Sequence, residues 1–261
     1  MKTVILAGGL GTRLRDIAVE VPKPMVPIGE RPILYHLMKY YSLWGYKEFV
    51  LCLGYKSAEV KNFLVNSQLY MQDATLDFTT ECQMEFHDQH LMQGWRITMA
   101  ETGVQSLTAT RIRRIGKYVR EDPNFMLTYA DGLGNVDIQR LVKFHLSHGK
   151  IMTVTGVIAP SRFGEMIVDD SGRVNEFNEK PTGTVGRISG GFFVCRRELL
   201  DYLPEDEDVM MEQEPMRRLA ADGQMMIFAH DGFWHPMDTP RDYEFLNKIY
   251  FEGDAPWTHL P

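Results

Sequence analysis

The feature that most constrains the fold of this chain is a glycine-rich turn that follows a short apolar segment at the N-terminus. Residues 1–5 are apolar and β-rich, as is typical of a buried strand, and they lead into the run Leu6-Ala7-Gly8-Gly9-Leu10-Gly11-Thr12-Arg13. Closely spaced glycines let a backbone turn sharply and approach a ligand. Successive backbone N–H groups in such a turn form a concave surface that binds anions.

Two cationic side chains near the turn favour a phosphate ligand. Arg13 offers a planar guanidinium for phosphate oxygens, and Lys23 follows ten residues later in the proline-rich stretch Val21–Pro27. Because proline holds the chain extended, this stretch can return Lys23 to the turn. The string is neither a P-loop nor a complete dinucleotide fingerprint, since Leu14 stands at the last glycine position. A purely structural turn is the alternative, but it does not require the two cations.

Alternating apolar strands and amphipathic helices predict the fold class. A buried strand over 49–53 is followed by a helix from about Ser57, and Asp137 is a good N-cap for a helix that ends at Gly149. Such alternation predicts an α/β, Rossmann-like three-layer fold with a mostly parallel central sheet and a small β-rich portion. We expect one domain over 1–261, whose texture changes to short strands and turns after about residue 160.

Composition narrows the class of partner and the compartment. The net charge of −7 argues against nucleic acid, whose backbone demands a basic surface, yet it allows a nucleotide in a local positive pocket. Cys52, Cys82 and Cys195 lack the paired short spacing of a zinc site or disulfide framework, so we expect small buried hydrophobes. The N-terminal run does not read as a signal peptide, and no stretch reaches membrane-spanning length. We therefore expect a cytoplasmic protein without a membrane partner.

An aspartate at the end of a buried strand is the best candidate metal ligand. The strand 125–130 ends at Asp131-Gly132, and carboxyl ends of parallel strands gather ligands in α/β sheets. A carboxylate there suits Mg²⁺, which also takes substrate phosphate oxygens. The alternative is an ordinary Asp-Gly turn. His87 and His90 are three residues apart without a firm helix or a nearby cysteine, which argues against a metal site there.

Several longer strings resemble one enzyme family. The run Leu6–Leu14 with Pro22-Lys23-Pro24-Met25 is similar to the signature of sugar-phosphate nucleotidyltransferases. Asn178-Glu179-Lys180-Pro181, Gly190-Gly191-Phe192-Phe193 and the run Phe233–Thr239 resemble its cytidylyltransferase branch. The resemblance covers nearly the whole chain. It implies Mg²⁺-dependent transfer of a cytidylyl group from CTP to glucose 1-phosphate, which gives CDP-glucose and pyrophosphate.

The resemblance also implies roles for individual residues. Arg13 and Lys23 are expected to be catalytic, and Asp131 and Asp238 to hold Mg²⁺. A structural alternative for Asp238 is that it favours the N-terminus of the helix that follows. The nucleotide is expected to contact Leu6, Ala7, Gly8, Gly9, Gly11, Thr12, Arg13, Lys23, Ser106, Arg111, Ala130 and Asp131. The sugar phosphate is expected to contact Gly164, Glu179, Lys180 and Gly191. The resemblance thus implies nucleotide binding mainly in 1–160, and sugar-phosphate binding and the C-terminal helix mainly in 161–261.

Two departures from the family pattern leave the substrate open. The chain has Ala109-Thr110 where the branch has two glycines, and Ala130 where the family has glycine. The same chemistry with UTP or dTTP, or with another sugar 1-phosphate, therefore remains an alternative, as does a non-catalytic nucleotide-binding subunit. The resemblance implies a homo-oligomer, for which the excursion 81–94 is a candidate contact.

Overall fold

A computed structural model describes residues 1–9, 21–79, 82–89, 91–158, 165–168, 174–178 and 186–260, with 165–168 and 174–178 described as strands only. The strands are β1 (Thr3–Leu6), β2 (Pro27–Ile28), β3 (Arg31–Pro32), β4 (Glu48–Leu53), β5 (Ala74–Asp77), β6 (Gln83–Phe86), β7 (Arg96–Glu101), β8 (Asn124–Tyr129), β9 (Gly132–Gly134), β10 (Met152–Val157), β11 (Glu165–Val168), β12 (Val174–Asn178), β13 (Ile188–Ser189), β14 (Phe193–Arg196), β15 (Met225–His230) and β16 (Trp234–Pro236). The helices are α1 (Ile33–Leu43), α2 (Ser57–Val65), α3 (Ser67–Met71), α4 (Thr108–Arg114), α5 (Gly116–Val119), α6 (Ile138–His148), α7 (Glu214–Ala221) and α8 (Pro240–Phe251), with 3₁₀ turns at Lys23–Met25 and Arg197–Tyr202.

The central sheet has the strand order β13-β10-β14-β8-β1-β4-β7, and β15 also pairs with β10. Strands β8, β1, β4 and β7 are mutually parallel neighbours, and β15 is parallel to β10. Strand β14 runs antiparallel to both β8 and β10, and β13 runs antiparallel to β10. The predicted α/β fold with a mostly parallel central sheet is therefore confirmed.

Both faces of the sheet are covered, because successive side chains of a strand point to opposite sides. Ile5 and Leu51 belong to an apolar cluster that also contains residues of α1, α6 and α8. Their neighbours Val4 and Val50 belong to a second cluster, formed with residues of α4 and α7. The sheet therefore lies between two hydrophobic layers, in the predicted three-layer arrangement.

Local sequence signals set several element boundaries. The Asp137 side chain accepts a hydrogen bond from the backbone N–H of Arg140 at 2.8 Å, which caps α6 as predicted. Helix α8 begins with a capping box between Thr239 and Asp242. Strands β11 and β12 form an antiparallel pair, and the residues between them lie outside the described part of the chain.

The expectation for the cysteines was wrong at one position. Cys52 and Cys195 are buried, and burial raises the pKa of the Cys52 thiol to about 12. Cys82 is exposed, since it lies just before β6 in a hairpin whose strands are largely open to solvent. Within the described part of the chain, no helix combines the length and apolar character needed to cross a membrane.

The geometry of the sheet places several predicted site residues at one edge. Strands β1, β4 and β8 are parallel, so their carboxyl ends at Leu6, Leu53 and Tyr129 meet on the same side. A short antiparallel ladder between β9 and β16 lies directly after β8 and pairs Gly132 with Pro236. This ladder joins the segment after β16 to the same edge, which sequence analysis did not anticipate.

Candidate active site

One lysine and two aspartates meet at this edge. The Lys23 ammonium donates to Asp131 Oδ2 at 2.7 Å and to Asp238 Oδ1 at 2.6 Å. The exposed fraction of the Lys23 side chain is 13%, against 37% for Asp131 and 26% for Asp238. The cluster therefore faces solvent on its carboxylate side, where a substrate can reach it.

Backbone pairing brings the two aspartates together across the chain. Asp131 lies between β8 and β9, and its carbonyl accepts a hydrogen bond at 2.8 Å from the N–H of Met237, the residue before Asp238. The carboxylate of Asp242 accepts a hydrogen bond at 3.1 Å from the Asp238 N–H. The capping box of α8 therefore also fixes the backbone of Asp238. A place beside the helix N-terminus and a role as a metal ligand are thus compatible for this residue.

The local conformation of the proline-rich stretch delivers Lys23 to the aspartates. A 3₁₀ turn spans Lys23–Met25, and Pro22 before it is extended. The pKa of the Lys23 ammonium is raised, because Asp131 and Asp238 together outweigh burial, which is the largest single effect and acts in the opposite direction. Lys23 is therefore a firmly held cation between two carboxylates.

The donor set at this position fits a magnesium ion. The two carboxylates already converge on a single cationic group, the Lys23 ammonium, which stands in the position of a shared cation. The described ranges contain no cluster of three or more His, Cys, Asp or Glu residues that could hold a metal ion, so any ion here would have only these two carboxylates as charged ligands from the described residues. Mg²⁺ is commonly bound by one or two carboxylates together with waters and substrate phosphates, so two aspartates suffice.

The start of the glycine-rich turn lies against the neighbouring strands. Leu6 and Ala7 are buried, and the Ala7 N–H donates to the Cys52 carbonyl at 3.1 Å. The Gly8 carbonyl accepts a hydrogen bond from Tyr55 N at 3.3 Å. Gly9 is exposed, and a Cβ there would meet nothing within 4 Å. The remaining predicted residues of the turn, Gly11, Thr12 and Arg13, lie outside the described residues.

The residues expected around the base have unequal environments. Ala130 is buried, and its N–H donates to the Leu6 carbonyl at 3.2 Å. Ser106 Oγ accepts a hydrogen bond from Arg114 at 2.9 Å. Arg111 is only 4% exposed, and its guanidinium contacts Gly8, since Nη2 donates to the Gly8 carbonyl at 2.9 Å.

Of the predicted sugar-phosphate residues, Gly164, Glu179 and Lys180 lie outside the described residues, and Gly191 lies beside the end of β8. Gly191 has a φ of +73°, and a Cβ there would lie 3.2 Å from Tyr129 Cδ2, so glycine is required. The Trp234 indole N–H donates to the Gly190 carbonyl at 2.8 Å and holds this segment to β16. The sequence motifs predict no role for Trp234 beyond its place in the run Phe233–Thr239.

The contribution of Asp242 was also missed. Its position three residues after Thr239 is the spacing of a capping box, which is a local signal. Its further contacts are with the backbone N–H of Asp238 and with His235 Nε2 at 3.0 Å. No spacing rule predicts these contacts, because they depend on the path of β16.

The family of the chain follows from its fold, from this site and from comparison with known proteins. Residues 2–250 match the family model described as nucleotidyl transferase, and the chain belongs to this family. It is 44% identical over 257 residues to glucose-1-phosphate cytidylyltransferase of Salmonella typhi, with 98% of each chain covered. It is 42% identical over 258 residues to the probable glucose-1-phosphate cytidylyltransferase of Bacillus subtilis (strain 168), covering 98% of this chain and 99% of the relative. The resemblance inferred from the sequence motifs is confirmed.

Solved structures support the fold independently. The crystal structure of HddC from Yersinia pseudotuberculosis has a TM-score of 0.69 at 23% identity, with 95% of this chain and 99% of that chain covered. A putative glucose-1-phosphate thymidylyltransferase from Bacillus anthracis also has a TM-score of 0.69, at 18% identity, with 95% and 94% of the two chains covered. At these identities the similarity shows the shared architecture of the sheet and its helices.

Proposed function

We propose that this chain transfers a cytidylyl group from CTP to glucose 1-phosphate, giving CDP-glucose and pyrophosphate. The observation that carries the chemistry is the convergence of Lys23, Asp131 and Asp238 at the carboxyl edge of the sheet. Two carboxylates and an ammonium at such an edge suit a reaction between polyanions. The choice of CTP and glucose 1-phosphate is supported by the whole-length similarity to glucose-1-phosphate cytidylyltransferases.

The nucleophile of this reaction needs no general base. A phosphate monoester has its second pKa at about 6, so its oxygen is largely ionised near neutral pH. The oxygen attacks the α-phosphorus in line, and a P–O bond to the departing pyrophosphate breaks. Catalysis then depends on positioning and on stabilising negative charge.

The roles of the charged residues follow from that requirement. Asp131 and Asp238 would hold Mg²⁺, which when bound supplies positive charge to the nucleotide phosphates. Lys23 lies next to both aspartates and supplies an ammonium for phosphate oxygens near the α-phosphorus. Arg13 is proposed to stabilise the leaving pyrophosphate, by analogy with the family signature.

The remaining residues are proposed to bind the two substrates. The turn with Gly8 and Gly9 would hold the triphosphate, and Ser106 would lie near the base. Glu179 would accept hydrogen bonds from the sugar hydroxyls, and Lys180 would pair with the sugar phosphate. Gly164 and Gly191 would allow close approach. With these assignments the nucleotide would lie mainly on residues 1–160 and the sugar phosphate mainly on 161–261.

A substrate panel tests the proposed function. Pyrophosphate release should be measured with CTP, UTP, dTTP and GTP against several sugar 1-phosphates in the presence of Mg²⁺. We expect CTP with glucose 1-phosphate to give the highest kcat/KM. A preference for another base or sugar would contradict the assignment, and no release with any pair would favour a non-catalytic nucleotide-binding subunit.

Asp131→Asn is the informative variant in that panel. It should require more Mg²⁺ for half-maximal activity, because one carboxylate ligand is lost. Asp122→Asn is a matched control, because Asp122 also forms an ion pair with a lysine, Lys2, at 2.7 Å. The control should keep the wild-type Mg²⁺ dependence, and a shared change in both variants would remove Asp131 from the metal site.

We also propose that the protein is a homo-oligomer that acts in the cytoplasm. The β5–β6 hairpin lies in or next to the excursion 81–94 and exposes Leu76 and Met84, as an interface between copies would. Cys52, Cys82 and Cys195 are all free thiols, which is typical of a reducing compartment. Light scattering after size-exclusion chromatography tests the first statement, since a monomeric mass would contradict it.

A further inference from the structure

The buried guanidinium of Arg111 connects three loops at the carboxyl edge of the sheet. Its Nη1 donates to the Leu53 carbonyl at 3.2 Å, to Thr102 Oγ1 at 2.8 Å and to the Gly103 carbonyl at 2.8 Å. Its Nη2 donates to the carbonyls of Gly8 at 2.9 Å and Val104 at 3.3 Å. These acceptors follow, or end, the parallel strands β1, β4 and β7. One side chain from α4 therefore holds all three strand ends.

The acceptors account for every N–H of the two terminal nitrogens. Nη1 and Nη2 together carry four N–H bonds, and five oxygens of the chain itself surround them. Because Arg111 is 4% exposed and its hydrogen bonds to Leu53, Thr102 and Gly8 are buried, an unpaired donor or acceptor there would be costly. The guanidinium is thus committed to the backbone of the loops.

Two glycines provide the space for this side chain. A Cβ at Gly8 would lie 2.1 Å from Arg111 Nη1, and a Cβ at Gly54 would lie 2.5 Å from the same atom. Contacts this short do not occur, so any other residue at either position would force the guanidinium out. The glycine at position 8 is therefore explained by the packing of Arg111 as well as by approach of a phosphate.

The three loops are also tied to one another around the guanidinium. Thr102 donates from both its N–H and its Oγ1 to the Leu53 carbonyl, at 2.9 and 2.7 Å. The Tyr55 N–H donates to the Gly8 carbonyl at 3.3 Å. These bonds share acceptors with Arg111, so loss of the guanidinium would leave two of the acceptors with fewer donors and loosen the connection between the loops.

We propose that Arg111 is a positioning residue, which fixes Gly8, at the start of the glycine-rich turn, against the loops after β4 and β7 and so positions this part of the nucleotide site. This proposal rests on the proposed function only in taking that turn as the triphosphate site. It assigns Arg111 an effect through the Gly8 carbonyl and the adjacent loops. In the free protein Gly8 is then already held in place, and the nucleotide does not have to order it.

Arg111→Met tests the proposal, with Arg113→Met as the matched control. Arg113 lies on the same helix, and its guanidinium donates to the carbonyls of Pro204 and Glu205, away from the three loops. Two quantities are measured on the full chain: hydrogen–deuterium exchange of the free protein at the amides of Ala7, Tyr55 and Thr102, and the Kd for CTP by calorimetry. If the substrate panel selects another nucleotide, that nucleotide replaces CTP.

We expect Arg111→Met to speed exchange at these amides at least tenfold and to raise the nucleotide Kd at least tenfold, while Arg113→Met changes both less than twofold. Unchanged exchange with a raised Kd would overturn the proposal in favour of direct contact with the nucleotide. Faster exchange with an unchanged Kd would overturn it in favour of a purely structural role. If Arg111→Met does not fold, Arg111→Lys is measured instead, because it keeps the charge but lacks the planar fork. Failure of the proposed function appears separately, as absent pyrophosphate release by the wild-type protein.

Discussion

Removal of the Lys23 ammonium should turn the paired carboxylates into a mutually repelling pair that a divalent cation relieves. Oxygens that share one Nζ at 2.7 and 2.6 Å lie within about 5 Å of each other, where two unit charges repel by about 1 kcal/mol in water and about 3 kcal/mol at an effective dielectric of about 20. The side chains are partly exposed, so solvent screening reduces the larger figure. We expect Lys23→Met to lower the free energy of unfolding by about 2 kcal/mol in EDTA.

Urea unfolding in EDTA and in saturating MnCl₂ measures this effect. Mn²⁺ should stabilise Lys23→Met more than the wild-type protein, because the ammonium no longer competes for the carboxylates. The double variant Lys23→Met/Asp131→Asn should be more stable in EDTA than Lys23→Met alone, since one of the two repelling charges is gone. Lys2→Met is the control, because it breaks the single ion pair to Asp122 and leaves only one carboxylate.

Two results would refute this reasoning. Equal stability of Lys23→Met and the wild-type protein in EDTA would show that the ammonium does not compensate the carboxylates. Equal stabilisation by Mn²⁺ of Lys23→Met and Lys2→Met would show that the pair formed by Asp131 and Asp238 is not a cation site.

Two further predictions concern groups that support the site and the fold. Asp242→Ala should lower the free energy of unfolding by about 1–2 kcal/mol, because a helix cap is lost. It should also raise the Mg²⁺ concentration for half-maximal activity, because the Asp242 carboxylate anchors the Asp238 N–H. The control Asp137→Ala removes only the cap of α6 and should lower stability without changing the Mg²⁺ titration. Burial and then His148 lower the pKa of His145 to about 4, so the unfolded chain binds this proton near pH 6.5 while the folded chain stays neutral. Stability should therefore fall from pH 6.5 towards 4 by up to about 3 kcal/mol, and urea midpoints of His145→Gln should depend less on pH over that window; an equal dependence would contradict the assignment.

Much of the fold could be predicted because its signals are local. The strand 49–53 is a continuous apolar run, as expected for a strand covered on both faces, and the observed β4 differs from it by one residue at its start. Asp137 and Thr239 are the N-caps of α6 and α8, and capping is a local signal because it depends only on the next few residues. The exposure of Cys82 could not be predicted, because it depends on a hairpin that leaves the body of the sheet.

The sequence predicted which residues belong to the candidate site but did not predict how they contact one another. Asp131 was predicted from its place after a strand, whereas Asp238 came from the family resemblance. Their meeting depends on the ladder β9–β16, in which Gly132-Leu133-Gly134 is too short and too glycine-rich to be recognised as a strand. Lys23 was expected at phosphates, and its ion pairs with both aspartates follow only from the three-dimensional path of its proline-rich stretch.

The burial of Arg111 could not be predicted from the sequence either. It lies in a basic run on α4, and such a run is typical of a solvated helix face. Its burial is a consequence of Gly8 and Gly54, which are distant in sequence and leave room for the guanidinium. Long-range packing of this kind has no spacing rule.

The fate of the α-phosphorus tests the central claim most directly. CTP radiolabelled at the α-phosphorus is incubated with glucose 1-phosphate, Mg²⁺ and the wild-type protein, and the products are separated by anion-exchange chromatography. Attack of the sugar phosphate on the α-phosphorus predicts that all transferred label appears in CDP-glucose and none in pyrophosphate. Label in pyrophosphate, or no labelled nucleotide sugar at all, would contradict the account.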